Sequence, residues 1–225
     1  MNNYVVATIK SWNIDAYNKL APALEGNWFL ISDKDGLSLQ ALEEIKPRYI
    51  FFPHWSWIVP HEILDNFECV CFHMTDVPYG RGGSPLQNLI VRGVYETKLT
   101  ALKMIDELDA GPIYGKVPLS LEGRAQDVFI RASRLVWDLI KLIINTETQP
   151  VDQKGVPSVF QRRSAEQSIL PTNGSLVQLY DHIRMLDAES YPHAFIENGD
   201  FRIEFNDAVL KVDELNCQVI IKKVN

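Results

Sequence analysis

The stretch RYIFFPHWSWIVPHEILDNFECVCFH, from Arg48 to His73, decides the fold. RYIFFP is a short run of β-forming apolar residues, PHEILDN carries helical spacing, and CVCF is a second apolar run. Runs that are apolar throughout, rather than alternating, belong to strands covered on both faces, so this is a βαβ unit of a parallel sheet. Upstream, YVVATIK reads as strand one and NIDAYNKLAPALEG as a helix that starts at Asn13 or Asp15 and stops at Gly26. NWFLIS is strand two, and SLQALEEIKP is a short helix ended by Pro47. The four βα repeats predict an α/β domain built on a mostly parallel, Rossmann-like sheet.

Downstream, SPLQNLIVRG predicts a helix with Ser84 as N-cap, Pro85 in its first turn and Gly93 at its end. KLTALKMI and GPIYGKVPL read as two further strands around the turn DELDAG. RAQDVFIRASRLVWDLIKLII is a long amphipathic helix with Val128, Leu135, Leu139 and Leu142 on its apolar face. From Gln161 the composition turns polar, then SLVQLYDHIRML predicts a helix and AFIENGDFRIEFNDAVLKVDELNCQVIIKKV short antiparallel strands, with Asn198 and Gly199 at a hairpin. The expected organisation is a main domain over 1–163 and a small β-rich tail over 164–225.

The chain has 225 residues, enough for a sizeable core, and a formal charge of −7. That charge argues against a nucleic-acid partner or an anionic membrane. No apolar run approaches the roughly 18 residues of a membrane span, and MNNYVVATIKSW lacks the layout of a signal peptide, so the expected location is cytoplasmic. Cys69, Cys71 and Cys217 imply no disulfide framework.

The turn after strand one, KSWNIDAY, has no glycine, and GRGGSP has neither a dinucleotide fingerprint nor the Gly-Lys-Ser/Thr of a P-loop. NAD and ATP are disfavoured. Cys69, Cys71 and His73 share one strand face, but no fourth ligand lies nearby, and two buried cysteines acting as small hydrophobes are the alternative to a metal. His73 stands at the carboxyl end of a strand with a Gly/Pro-rich loop behind it, where open parallel sheets bind ligands. Asp106 and Asp109 in DELDAG are two carboxylates of which either could orient its imidazole.

CFHMTDVPYGRGGSP and the LDAG turn resemble the folate-dependent formyltransferases, the group that includes methionyl-tRNA, glycinamide ribonucleotide and sugar N-formyltransferases. The resemblance implies the formyltransferase fold, N10-formyltetrahydrofolate as formyl donor, and His73 and Asp109 as catalytic residues. It also implies folate contacts from WIVP (Trp57, Ile58, Val59) and from Leu108 and Asp109. Cys71 occupies the position of the family's asparagine, whose amide stabilises an oxyanion; a thiol is a weaker donor. FQRRSAEQSI and IRMLDAESYPHAF resemble the approach to the family's tail.

Within the family, the CFHMTDVPYGRGGSPLQNLI segment and the KSWNI turn are similar to sugar N-formyltransferases of the pseudaminic acid (nonulosonic acid) pathway. The implied acceptor is the 4-amine of a UDP-linked 4-amino-4,6-dideoxy-2-acetamido sugar. Trp12, Asn13, Tyr79 and Arg81 are then candidates for holding that nucleotide sugar, and the tail for assembling a homodimer. A methionyl-tRNA formyltransferase-like enzyme is the alternative, disfavoured here by the acidic chain and short tail; a non-catalytic folate or sugar-nucleotide binding module is the other.

Overall fold

The computed structural model describes residues 1–224. Strands β1 (Asn3–Ala7), β2 (Asn27–Ile31), β3 (Tyr49–Phe52) and β4 (Cys69–His73) alternate with helices α1 (Ser11–Leu20), α2 (Leu39–Ile45) and α3 (His61–Asn66). With β5 (Glu96–Lys103) and β6 (Ile113–Ser120) they form a six-stranded sheet of order β2-β1-β3-β4-β5-β6. β1 is parallel to β2 and β3, and β3 to β4, whereas β5 runs antiparallel to β4 and sets Thr100 opposite His73.

Burial on both faces explains the unbroken apolar runs. Val5, Ile50, Phe52 and Cys69 join Leu42, Val59 and Ile63 in one buried cluster. On the other face Phe51 stacks near Trp28, whose ring centroid lies 5.6 Å from that of Trp137 on α5 (Ala125–Thr146). Full burial of each such side chain is worth about 1.5–3 kcal/mol, so this two-sided packing, more than helix capping, holds the repeats in register.

Three local expectations are corrected. α1 begins at Ser11, before Asn13 or Asp15, with Lys10 at the cap position, its side chain making no capping hydrogen bond. Burial of Trp12 and Asn13 recruits that first turn. The helix ends at Leu20 rather than near Gly26, because Pro22 has no N–H to extend the ladder and the chain passes into a 3₁₀ turn at Ala21–Ala23. Ser84 does not cap α4 (Pro85–Ile90) with its side chain: its backbone is left-handed, and its hydroxyl accepts from the Arg163 N–H at 3.1 Å.

The chain divides into two compact units. One holds Met1–Arg81, Lys98–Leu119 and Ile130–Val159; the other holds Gly82–Thr97, Ser120–Phe129 and the chain from Phe160 onward. The boundary expected at 163/164 falls inside the second unit. There α6 (Leu176–Arg184), capped by reciprocal Ser175 and Gln178 bonds, packs on an antiparallel sheet of β7 (Ala194–Asn198), β8 (Phe201–Leu210) and β9 (Leu215–Lys223) in the order β9-β8-β7. The tight turn between β7 and β8 holds Gly199 at φ 58°, a conformation that suits glycine.

Arg184 is the polar centre of this unit. Its side chain is 1% exposed, its Nε lies 2.7 Å from the Asp181 carboxylate, and its Nη1 donates to the carbonyls of Leu121 and Gly123. Removing one partner of such a pair strands a buried charge, so Asp181→Ala is expected to destabilise this unit by about 3–5 kcal/mol, read as a lowered urea midpoint. A change under about 1 kcal/mol would show that the carbonyls alone suffice.

His54, just beyond β3, gives a pH signature. Burial, then the charge of Lys10, pushes its imidazole down to about 3. An unfolded imidazole titrates near 6.5, so below that pH protons favour the unfolded chain: stability present at neutral pH is lost as pH falls from about 6.5 toward 3. His54→Gln should flatten this part of the acid-unfolding curve; an unchanged slope would show that another group carries it.

Candidate active site

His73 closes β4, which feeds directly into the loop 74–83. Alternation along the strand puts Cys71 on the same face two residues earlier. The His73 side chain is 8% exposed, and both ring nitrogens face acceptors: Nε2 is 2.8 Å from the Gly80 carbonyl, and Nδ1 is 3.4 Å from Asp109 Oδ2. A carbonyl can only accept, so the neutral ring that keeps the Gly80 bond carries its proton on Nε2. Nδ1 is then the nitrogen whose proton the Asp109 carboxylate would hold in the imidazolium form.

Asp109 reaches this position through an unusual turn. Its φ is 53°, left-handed, a conformation that aspartate tolerates better than most side chains. Two residues later, a Cβ on Gly111 would lie 1.8 Å from the Lys103 carbonyl oxygen, so only glycine lets the turn press against the end of β5. Asp106, the other carboxylate of DELDAG, points elsewhere: its Oδ1 lies 2.7 Å from Nδ1 of His61, which follows Pro60 of the WIVP segment. Geometry therefore joins Asp109, not Asp106, to His73.

Burial, with the Asp109 charge adding to it, pushes the Cys71 thiol up beyond the range in which it ionises at neutral pH. Burial does the same for Cys69, up to about 12. Neither is poised as a thiolate nucleophile. Among the described residues, no group of three or more His, Cys, Asp or Glu is arranged to hold a metal ion.

Arg81 and Gln153 form a clamp behind the pair. Arg81 donates to Gln153 Oε1 from Nε at 3.1 Å and Nη2 at 2.9 Å, and its Nη1 meets Glu107 at 3.0 Å. The Gln153 amide in turn donates to the carbonyls of Asp109, at 2.8 Å, and Gly111, at 2.9 Å. Ser158 fixes the other loop, its hydroxyl accepting from Gly80 N–H at 2.9 Å. Sequence reasoning missed Gln153 and Ser158, because nothing within TQPVDQKGVPS marks them; their partners lie more than 40 residues away along the chain.

The remaining sequence candidates divide. Trp57, Ile58, Leu108 and Tyr79 are exposed, whereas Val59 belongs to the core cluster. Trp12 and Asn13 are buried, Trp12 edge-on to His54 with ring centroids 5.5 Å apart, and Asn13 donating to the Pro53 carbonyl at 3.2 Å. Both therefore pack against the segment that follows β3.

Comparison with known proteins corrects the acceptor. A profile of the methionyl-tRNA formyltransferase C-terminal domain matches residues 165–222, the short tail that was counted against such an enzyme. A solved methionyl-tRNA formyltransferase from Clostridium thermocellum is 46% identical, with TM-score 0.97, over 99% of this chain and 100% of its own. A methionyl-tRNA formyltransferase of Lysinibacillus sphaericus is 27% identical over 73% of this chain, which spans only 56% of that relative. By contrast, a sugar N-formyltransferase from Shewanella sp FDAARGOS_354, covering 95% of this chain and 100% of its own, is 16% identical at TM-score 0.71, a likeness of fold. The expected pseudaminic-pathway acceptor and nucleotide-sugar partner are thereby overturned, as is the exclusion of nucleic acid. Net charge could not carry that exclusion, because it sums the whole surface, whereas contact with a polynucleotide depends on the local distribution of charge. The 46% identity over essentially the whole of both chains shows that the chain belongs to the formyltransferase family.

Proposed function

We propose that this protein transfers a formyl group from N10-formyltetrahydrofolate to the amino group of methionyl-tRNA. What carries the reading is the 46% identity, over essentially the full chain, to the Clostridium thermocellum protein of that name. The residues present fit the folate. Trp57, Ile58 and Leu108 expose apolar surface suited to a flat heteroaromatic ring, and the His61–Asp106 contact ties the WIVP segment to the LDAG turn. Trp55, its ring 5.0 Å from that of Trp57, keeps a buried indole N–H with no acceptor, a donor available to a bound ligand.

Bound N10-formyltetrahydrofolate would supply the formyl carbon as the electrophile. The chain's part is placement and proton handling. A neutral amine must shed a proton as it attacks, and His73 would accept it at Nε2 in the tautomer that releases Gly80 and carries its own proton on Nδ1, facing Asp109. Asp109 orients the ring and offsets the positive charge of the imidazolium formed, as a carboxylate does for histidine in other acyl-transfer sites. Cys71 is a protonated thiol at the oxyanion position, a weak donor rather than a nucleophile.

The direct test is incubation with N10-formyltetrahydrofolate and methionyl-tRNA, then mass analysis of the amino acid released from the tRNA. Formylmethionine is expected; folate turnover that leaves methionine unmodified would defeat the proposed acceptor. His73→Ala and Asp109→Ala should each lower turnover by about 10²–10⁴-fold while leaving thermal unfolding nearly unchanged, with Asp106→Ala far milder. Equal damage from Asp106→Ala would reassign the carboxylate.

Cys71 separates two chemistries. As a weak donor it predicts that Cys71→Ala lowers turnover by less than about tenfold, and that rapid mixing without acceptor gives no burst of tetrahydrofolate. A stoichiometric burst would establish a formyl-thioester and overturn the direct-attack reading.

A further inference from the structure

The His73–Asp109 pair is closed into a ring of contacts. His73 Nε2 meets the carbonyl of Gly80; the next residue, Arg81, donates twice to Gln153; and Gln153 donates to the backbone of Asp109, whose carboxylate returns to His73 Nδ1. Three chain segments, 73–81, 109–111 and 153, are thus joined at one amide side chain. Glu107 on Arg81 is a parallel tie, but its side chain is 72% exposed against 14% for Arg81, so solvent weakens it.

We propose that Gln153 is a positioning residue, which sets the distance and angle between Asp109 and His73 by gripping both loops at once. The chemistry requires an amide. Oε1 must accept from a guanidinium while Nε2 gives its two hydrogens to two carbonyl oxygens, those of Asp109 and Gly111. A carboxylate could serve Arg81 but would turn an oxygen toward the two carbonyls; a thioether could serve neither. The amide also has something to work against: Asp109 is held at φ 53°, outside the common backbone basins, and relaxation there would swing its carboxylate away from a contact already at 3.4 Å. Misplacement of a catalytic group by about 1 Å can lower a rate by about two orders of magnitude, so a small loosening is enough to matter.

The proposal rests on the formyl-transfer reading for its kinetic consequence but not for its structural one, and the two are tested apart. In the free protein, long-range ¹H–¹⁵N spectra of histidine-labelled material report the protonation pattern of each imidazole, with His73 identified by the resonances lost in His73→Ala. Gln153→Met and Gln153→Glu should both move the His73 ring nitrogens in the direction produced by Asp109→Asn, while the resonances of His182 and His193 stay in place. His73 resonances unchanged in both Gln153 variants, alongside a clear change in Asp109→Asn, would overturn the proposal whatever the enzyme acts on. Gln153→Glu keeps the Arg81 acceptor, so it decides the outcome if Gln153→Met fails to fold. In turnover with methionyl-tRNA, Gln153→Met should lower kcat about tenfold with KM for the folate within about twofold. A KM effect at unchanged kcat would assign Gln153 to binding and sink the positioning role. Absence of turnover in the wild type, with the spectral change present, would remove the acceptor reading and leave the positioning inference standing.

Discussion

The close approach of the 107–111 turn to the end of β5 is the constraint on which the site depends. A side chain at Gly111 would overlap the Lys103 carbonyl, so the turn lies flat against the strand with Asp109 left-handed at its tip. β5 is antiparallel to β4, which lays its residues directly across from Cys71 and His73. Strand pairing and one glycine together therefore bring a carboxylate from about 36 residues away onto the imidazole at the strand end.

The same arrangement explains why the pair is rigid. His73 is nearly enclosed, and each of its nitrogens meets a partner that is itself held: Gly80 by Ser158, and the Asp109 backbone by Gln153. Enclosure strengthens such polar contacts by lowering the local dielectric, and equally penalises any member left unsatisfied. It also keeps the Cys71 thiol protonated, since burial and the nearby Asp109 charge both oppose a thiolate. In the proposed reaction, the position that the resemblance gives to asparagine would carry a neutral, weak donor, and transition-state stabilisation would fall more heavily on other groups such as His73.

The apolar surface beside the pair has a different character. Trp57, Ile58 and Leu108 are exposed in segments tied together by His61 and Asp106, while Val59 anchors the WIVP segment in the core. The proposed folate contacts would use this arrangement, a buried anchor with exposed neighbours on a fixed backbone. Trp12 and Asn13, by contrast, were reasonable sequence candidates at a βα turn, yet the packing of α1 directs them inward.

Local sequence determined the repeats and the site's address. Unbroken apolar runs such as YIFF, a proline or glycine at several element ends, and Asn198–Gly199 at the tail hairpin made the mostly parallel sheet and the antiparallel tail legible, because two-sided burial and turn chemistry act over a few residues. His73 at a strand end was legible for the same reason, and resemblance distinguished Asp109 from Asp106. Only the tertiary structure decided the rest. The reversal of β5, the loss of the Ser84 cap to Arg163, and the Gln153 clamp all depend on which distant segments meet, and hydrogen bonds between segments leave no period in the sequence. Net charge was the least informative signal, because a sum over 225 residues discards the positions of the charges, and recognition depends on those positions.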